Sequence, residues 1–401
     1  MVYNRILSRR QLLRTAAAMG GVALGGGMLS ACSTQSQIRQ SQTRQLQTSV
    51  SGRASSASSA SREELVIGFV PIACASPLVA ADALGAFEKQ GLHVKLRKYA
   101  GWADLWTAYA TGTLDVAHML SPMPLAIDAG ATNASRPTEL AFTQNTNGQA
   151  LTLSTSHLDA VSQPTDLAGM VLGIPFEYSV HALLLRDYLV AGGLDPVSDV
   201  ELRLLRPPDM VAQLAVGAVD GFIGPEPFNQ RALTTGSGRA FIPTRQMWEN
   251  HPCCSVAIAK EIDRGVRDRV VAALREGAQF VDSPHHVHES ASMLAEEKYL
   301  NQKEELISPA LAGSYTTWDG TDVVDPDMIN FGGQTSATAI TWMAAQIARW
   351  DLGGTALTMD DDVLLAATES VLPAEADRST APVDINGRVF DPLKPTAGYQ
   401  R

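Results

Sequence analysis

Three side chains of this sequence could each donate a hydrogen bond to a small anion. Trp102 follows Ala100-Gly101 at the start of a predicted helix, where its indole N–H and the free backbone amides of the first turn can reach one ligand. His181 starts another predicted helix, and its imidazole can donate to an oxyanion and change charge near neutral pH. Gln149 stands just before a predicted strand and offers an amide N–H. Each of these groups is a hydrogen-bond donor, and Gln149 by itself is typical of an ordinary polar loop residue.

Each donor also has a structural interpretation. Trp102 could pack on its own lobe and form an apolar stripe with Trp106, four residues along the helix. A single histidine is more often a surface or core residue than a ligand. The sequence contains no Gly-x-Ser-x-Gly, no His-Glu-x-x-His and no phosphate-binding glycine loop. We therefore predict a binding protein without catalytic residues, rather than an enzyme.

The elements that position these residues alternate between strands and helices. Residues 65–71 form a short β-branched run that ends in proline, which is typical of a buried strand. A helix over 78–90, a strand over 93–99, a helix over 102–111 and a third strand are predicted after it. Short turns between alternating elements favour parallel strands, so we expect an α/β fold of doubly wound sheets.

The same pattern recurs after 105 residues. Val66-Ile67-Gly68 falls on Val171-Leu172-Gly173, and Gly112-Thr113-Leu114-Asp115 falls on Gly217-Ala218-Val219-Asp220. A turn common to all βαβ units would explain one such coincidence, but not a register kept over two strands, a helix and the next loop. The repeat predicts two similar lobes. Ligands of such sheets bind outside the carboxyl ends of the strands, so we expect a cleft between the lobes.

The four cysteines are Cys32, Cys74, Cys253 and Cys254, and they include no Cys-x-x-Cys pair. Cys74 lies in the loop after the first strand, which is expected to face the cleft. A disulfide from Cys74 to Cys253 or Cys254 is one alternative in an oxidising compartment. A soft-metal site of two thiols with His181 is another. Buried cysteine without any bond is the commonest outcome.

The first 62 residues are predicted to be an export signal and a tether. Arg9-Arg10 before a short apolar run resembles a twin-arginine signal, and Leu29-Ser30-Ala31-Cys32 resembles a lipobox, so residues 1–32 form a signal with lipidation at Cys32. The alternative, a membrane-spanning anchor, needs roughly twenty apolar residues, about twice the length of this run. Residues 33–62 are rich in Ser and Gln and are predicted to be disordered. We expect the chain in the periplasm or at the extracytoplasmic face, anchored to the membrane as a lipoprotein.

Charge excludes nucleic acid as a partner. The 31 basic and 42 acidic residues give a formal net charge of −11, and no Lys/Arg-rich run follows residue 62. The overall field repels anions, so an anionic ligand must be held by local donors and dipoles.

Several runs together resemble a known family. They are Gly68-Phe69-Val70-Pro71, Gly101-Trp102-Ala103, the segment 114–126 through His118-Met119, Pro207-Pro208-Asp209-Met210 and the segment 224–231 through Glu226-Pro227-Phe228. These runs are similar to the nitrate/bicarbonate-binding lipoproteins of ABC transporters over about residues 65–300. The resemblance implies a two-lobe, type II periplasmic-binding-protein fold. Lobe 1 would comprise residues 63–150 and 260–401 with a C-terminal extension, and lobe 2 residues 151–259, with crossovers near 151–156 and 255–259.

The resemblance also implies a set of ligand-binding positions, which are Trp102, Gln149, His181, Pro207, Gly224 and Cys254. The first three would donate hydrogen bonds, while Pro207 and Gly224 would bring backbone close to the ligand. At the position of Cys254, nitrate binders carry a lysine and bicarbonate binders an acidic residue that works with calcium. The thiol departs from both patterns, and Lys260 is a candidate for a displaced cation. A carboxylate would repel an anion, so we expect Glu226 to be structural.

We therefore predict the substrate-binding lipoprotein of an ABC importer, with permease and ATPase subunits as partners and lobe closure as its mechanism. The predicted ligand is a small inorganic anion, nitrate first and then nitrite, bicarbonate or cyanate, and no cofactor is expected. The alternative is a metal-dependent sensor or enzyme on the same fold that uses Cys74, Cys254 and His181.

Overall fold

The computed structural model describes residues 64–131 and 135–399, and these residues all belong to one compact unit. The predicted signal (1–32), the lipidation site Cys32 and the tether (33–62) lie outside the described residues. Within the described part, no helix is both long enough and apolar enough to cross a membrane.

The described elements are numbered in chain order. The strands are β1 Leu65–Phe69, β2 Val94–Lys98, β3 Val116–Leu120, β4 Thr138–Asn147, β5 Gln149–Ser154, β6 Val171–Ile174, β7 Glu201–Leu204, β8 Gly221–Pro225, β9 Gly238–Pro243, β10 Pro252–Ala259, β11 Ser314–Thr316, β12 Asp322–Val324, β13 Ile329–Phe331, β14 Val383–Ile385 and β15 Arg388–Phe390. The α-helices are α1 Ser76–Ala83, α2 Ala86–Lys89, α3 Trp102–Ala110, α4 Pro122–Asp128, α5 Val180–Ala191, α6 Pro207–Ala215, α7 Phe228–Thr234, α8 Arg264–Val281, α9 Val287–Ala295, α10 Glu304–Leu311, α11 Ala337–Arg349 and α12 Asp361–Val371. Short 3₁₀ helices lie at Ala73–Ala75, Thr155–His157, Pro164–Leu167, Thr244–Gln246 and Pro284–His286.

Two mixed sheets form the centres of two lobes. The sheet of the first lobe has six strands in the order β13-β4-β10-β3-β1-β2, and that of the second has five in the order β7-β6-β8-β5-β9. In the first sheet β1, β2 and β3 are parallel, and β10 pairs antiparallel with both β3 and β4. In the second sheet β6, β7 and β8 are parallel, and β5 pairs antiparallel with both β8 and β9. The predicted α/β fold of two lobes with central sheets is confirmed.

The predicted repeat is visible in the elements themselves. Helices α3 and α6 have nine residues each, and β3 and β8 have five each. Each pair of elements is offset by 105 residues, and so is the strand pairing: Ile67 pairs with Val116 in the first sheet, and Leu172 pairs with Gly221 in the second. Equivalent positions of the two lobes can therefore be compared residue by residue.

The predicted crossovers between the lobes are wrong in position. The chain leaves the first sheet at the end of β4 and enters the second at β5, so the first crossover is the turn Asn147-Gly148, where both residues have positive φ. The return lies between β9 and β10, over residues 244–251. The predicted segments are instead parts of β5 and β10. Their apolar character arises because β5 lies between β8 and β9, and β10 between β3 and β4, so both strands are buried.

The C-terminal third binds the two lobes to each other. Strand β13 joins the first sheet, and α11 contacts both α4 of the first lobe and α5 of the second. Asp187 of α5 is fully buried and forms an ion pair with Arg349 at 3.0 Å, while Arg388 approaches it at 3.4 Å and the Asn386 amide donates to it at 3.0 Å. A buried carboxylate with three donors joins α5 to two separate C-terminal segments.

One buried histidine makes folding sensitive to acid. His118 in β3 is fully buried, and neither ring nitrogen forms a hydrogen bond among the described residues. Burial lowers the pKa of His118 from 6.5 to about 3. The unfolded chain therefore takes up a proton near pH 6.5, which the folded chain resists until about pH 3. Stability that is present above pH 6.5 is lost as the pH falls through this window.

We predict that His118→Leu flattens this pH dependence. Between about pH 6 and 4, the free energy of unfolding of the wild type should fall by about 1.4 kcal/mol per pH unit more than that of the variant. The difference arises because the variant lacks the histidine that takes up a proton on unfolding. Urea unfolding at several pH values measures the slope. His288→Gln is the matched control, since His288 is exposed. Equal slopes for wild type and His118→Leu would contradict the prediction.

Candidate functional site

The two lobes meet where equivalent helices begin. Helix α3 starts at Trp102 and α6 at Pro207, and both residues are buried. The preceding residues, Gly101 and Arg206, are in contact across the lobes, because a Cβ atom on Gly101 would lie 3.0 Å from Arg206 Cγ. The residues that precede two equivalent helices therefore touch at the junction of the lobes. Free N–H groups and the helix dipole make each such end favourable for an anion.

Neither helix end is capped by its own side chain. The N-cap residues Gly101 and Arg206 both have extended backbones and make no side-chain capping hydrogen bond. Trp102 adds a further donor, because its Nε1 is buried without a hydrogen-bond partner among the described residues. The predicted position of Trp102 at the start of a helix is correct, and its indole N–H is a buried donor without a partner among the described residues.

His181 lies in the first turn of α5 and is fully buried. Neither of its ring nitrogens has a hydrogen-bond partner among the described residues. Burial, with a smaller contribution from the neighbouring His251, lowers the pKa of His181 from 6.5 to about 3. The expectation that its charge changes near neutral pH therefore does not hold. The ring is neutral and offers one N–H donor and one acceptor.

Gln149 is held in a hydrogen-bond network within the protein. Its Nε2 donates to Asn147 O, and its Oε1 accepts from Thr244 Oγ1 at 3.2 Å. His251 Nε2 also lies 2.9 Å from Oε1, and His251 Nδ1 lies 2.7 Å from Trp248 O. One of the two amide hydrogens of Gln149 is left for a ligand. The ligand-binding role of Gln149 stays a prediction.

Gly224 is required by packing inside the second lobe. A Cβ atom there would lie 3.0 Å from a ring carbon of Phe222 and 3.1 Å from Met210 Sδ. The Gly224 carbonyl accepts from Asn229 Nδ2 at 2.9 Å. These neighbours belong to the lobe that contains Gly224, and its contact with a ligand stays a prediction.

Glu226 joins the lobes through its backbone. Its carbonyl accepts from the amide of Ala73 in the first lobe at 2.9 Å, and its carboxylate accepts from the Gln230 amide at 3.2 Å. Burial raises the pKa of Glu226 to about 7. The side chain is buried, and its contacts agree with the predicted structural role.

The three described cysteines form one group in the first lobe. The sulfur of Cys253 lies 3.8 Å from that of Cys74 and 3.7 Å from that of Cys254, and all three are buried and free. The alternative of a disulfide is therefore not what the structure contains. The predicted metal set of two thiols with His181 is also wrong, because among the described residues the metal-capable group consists of the three thiols.

Lys260 does not replace the missing lysine of the family. It lies six residues after Cys254 along β10, or about 20 Å for an extended strand. Its Nζ donates to Ser370 O and lies 3.7 Å from Asp128 Oδ1. Lys260 therefore interacts with Ser370 and Asp128 and does not supply the missing positive charge.

An aromatic cluster joins α3 of the first lobe to the residues just before α5 of the second. Trp106 of α3 stacks on Tyr178, with ring centroids 5.2 Å apart, and also contacts Phe176 at 5.8 Å. Tyr178 immediately precedes the N-cap of α5, and its hydroxyl donates to Leu352 O at 2.9 Å. The stack therefore brings the start of α5, with His181, close to α3.

Sequence reasoning missed two residues of this region. No sequence pattern gives His251 a role, although its ring contacts Gln149 and lies near His181. Arg206 stands at the repeat position equivalent to Gly101, so the 105-residue offset already contained the signal that these two residues face each other.

Comparison with known proteins gives consistent results. A sequence profile of the NMT1-like family matches residues 58–295. The chain is 32% identical over 304 residues to the bicarbonate transport ATP-binding protein CmpC of Synechocystis sp., covering 71% of this chain and 46% of that protein. It is 29% identical over 288 residues to the nitrate/nitrite binding protein NrtA of Synechococcus elongatus, covering 66% of this chain and 65% of that one. The chain thus spans about half to two thirds of the length of these relatives.

A solved structure supports the fold. The crystal structure of the periplasmic nitrate-binding protein NrtA from Synechocystis PCC 6803 matches with a TM-score of 0.77 at 22% identity, covering 84% of this chain and 97% of that one. The predicted resemblance and the type II two-lobe fold are confirmed. The family match and the relatives named as nitrate-binding proteins also agree with the prediction that the chain is not an enzyme.

We predict that Tyr178→Phe weakens the attachment between the lobes. The variant leaves the buried Leu352 carbonyl without its donor, which should lower the free energy of unfolding by about 1–3 kcal/mol. Tyr188→Phe is the matched control, because the Tyr188 hydroxyl makes no hydrogen bond to another described residue and is half-buried. Urea unfolding measures the free energy of unfolding of both variants. Equal values would contradict a stabilising hydrogen bond from Tyr178 to the Leu352 carbonyl.

Proposed function

The chain belongs to the NMT1-like family, and we propose that it is the solute-binding component of an ABC importer that captures a small inorganic anion between its lobes. Nitrate is the first candidate. The observation that carries the proposal is the meeting of two uncapped helix N-termini, beside the unpaired indole N–H of Trp102. Relatives named as nitrate-binding and bicarbonate-transport proteins support it.

The donors of the cleft suit an anion better than a neutral solute. Leaving a buried N–H without an acceptor costs about 1–3 kcal/mol, and a bond to a charged acceptor is about twice as strong as a neutral one. Trp102 Nε1 and one ring N–H of His181 are buried donors of this kind. An anion that accepts from both stabilises the closed lobes and overcomes the repulsion from a net charge of −11.

The chemistry around Cys254 favours nitrate over bicarbonate with calcium. Calcium is bound by six to eight oxygen atoms, usually including several carboxylates. Cys254 is flanked by thiols, and its backbone amide donates to Asn145 Oδ1 at 3.3 Å. These sulfur atoms are poor calcium ligands. Nitrate, nitrite and cyanate require only donors, so they form the proposed ligand class, and bicarbonate is the weaker candidate.

The proposed mechanism is capture without chemistry. A ligand that touches Trp102 from one lobe and His181 from the other bridges the cleft and shifts the lobes toward the closed state. The closed form would be recognised by the permease, with the ATPase subunits driving transport. Lipid on Cys32 and the tether up to residue 62 would keep the lobes at the extracytoplasmic face of the membrane, near that permease.

Thermal unfolding of the purified full-length chain tests the ligand class. The chain is first freed of bound solutes by unfolding and refolding, and is then heated with nitrate, nitrite, cyanate, or bicarbonate with and without calcium, at matched ionic strength. We expect nitrate to stabilise it by about 2.7 kcal/mol at 100 times the dissociation constant. Trp102→Phe should weaken nitrate binding roughly tenfold to a hundredfold, because one hydrogen bond to a charged acceptor is lost.

Trp318→Phe is the control for a generic loss of an indole. Trp318 donates through Nε1 to Val161 O and packs on Phe241 within the second lobe, so its replacement should leave the nitrate-induced shift intact. No shift with any of the anions would contradict the proposal. A larger stabilisation by bicarbonate with calcium than by nitrate would mean that bicarbonate, and not nitrate, is the ligand.

A further inference from the structure

The three thiols have the spacing of ligands around one metal ion. The sulfur of Cys253 lies 3.8 Å from Cys74 and 3.7 Å from Cys254, and all three sulfurs lie within 4.8 Å of one another. An ion with metal–sulfur bonds near 2.3 Å in regular three- or four-fold geometry places its sulfur ligands roughly 3.8–4.0 Å apart. Two of the three sulfur–sulfur distances therefore match the edges of such a coordination polyhedron, and the third is at most 4.8 Å.

The backbone accounts for the convergence of two adjacent cysteines. Successive side chains of a regular strand point to opposite faces, so Cys253 and Cys254 should diverge. The pairing of β10 with β4 is irregular between Pro252 and Cys254, and again between Cys254 and Ser255. Bulges of this kind change the direction of a side chain and are common beside functional sites. The irregular strand brings both thiols to the same point.

Cys74 reaches the group from a different element that is itself fixed. It lies in the 3₁₀ helix Ala73–Ala75 after β1, and the Ala73 amide donates to Glu226 O in the second lobe at 2.9 Å. The loop is thus anchored across the cleft. Three ligands from a rigid strand and an anchored loop form a preorganised site, which loses little entropy when it binds an ion.

A bound metal ion would take the place of the thiol protons in this buried group, because the thiolate is the form of cysteine that ligates metals.

We propose that Cys74, Cys253 and Cys254 bind one Cu(I) ion in a three-coordinate, all-sulfur site. Thiolate ligands select soft ions, of which Cu(I) and Zn(II) are the main candidates. Structural zinc is almost always four-coordinate. Among the described residues, the metal-capable group contains neither a histidine nor a carboxylate to serve as a fourth ligand. Three sulfurs without a fourth ligand among the described residues therefore favour Cu(I) over zinc.

The copper site is separate from the anion donors. Trp102 and His181 are not members of the thiol group, and the proposal does not rest on the identity of the anion. Its test is therefore independent of the nitrate experiment. A failure to bind copper would not affect the conclusion about nitrate, and a failure to bind nitrate would not affect the conclusion about copper.

Titration with Cu(I) tests the site directly. The full-length chain is reduced under anaerobic conditions and competes for Cu(I) with the chelator bathocuproine disulfonate. We expect one Cu(I) per chain, and X-ray absorption should show three sulfur neighbours. Cys253→Ser should lower the affinity more than about tenfold, because it removes a direct ligand. Cys32→Ser is the matched control and should change nothing, since it removes the one cysteine outside the group.

Several outcomes would overturn the proposal. They are failure of the reduced, folded chain to take Cu(I) from the chelator, unchanged affinity in Cys253→Ser, fewer than three sulfur neighbours, or zinc retained in the presence of Cu(I). Circular dichroism checks the folding of each variant. If Cys253→Ser does not fold, X-ray absorption on the wild-type chain decides the number of sulfur ligands without it.

Discussion

The proposed cleft depends on one electrostatic constraint: each lobe contains buried N–H groups that have no acceptor within the described part of the protein. Helices α3 and α6 begin without side-chain caps, and the first turn of each carries an aspartate, Asp104 or Asp209. The indole N–H of Trp102 in the first lobe and the ring of His181 in the second are buried without partners among the described residues. The stack of Trp106 on Tyr178 and the C-terminal segments around Asp187 hold the lobes together, and an anion would supply the acceptor that these donors lack.

The repeat explains why this junction forms and how much of it could be predicted. Local patterns correctly gave the starts of α3 and α5, the strand at β1 and the 105-residue offset, because turn glycines and apolar alternation are encoded within short segments. The crossovers were misplaced because a central strand and an apolar linker have the same composition. The role of His251 and the convergence of Cys253 with Cys254 depend on long-range packing and on an irregular strand, neither of which periodicity reveals.

Cys254 stands where the family resemblance implies a charged residue. Lys260 is bound near Asp128, and burial keeps His181 neutral, so the proposed anion would be held by neutral donors and helix ends. Cys254 is also one of three clustered thiols that could ligate a metal ion. The proposed anion donors Trp102 and His181 are not among these thiols, so each set can be substituted without removing the other.

The central claim is that the indole N–H of Trp102 donates to the captured anion. The most direct measurement is the ¹⁵N–¹H spectrum of the six tryptophan indoles during a nitrate titration, with Trp102→Phe to assign the signal. Our account predicts that the signal missing in Trp102→Phe shifts strongly and saturates, while the other five move little. A Trp102 signal that stays in place while nitrate stabilises the protein would contradict it, because the anion would then bind elsewhere.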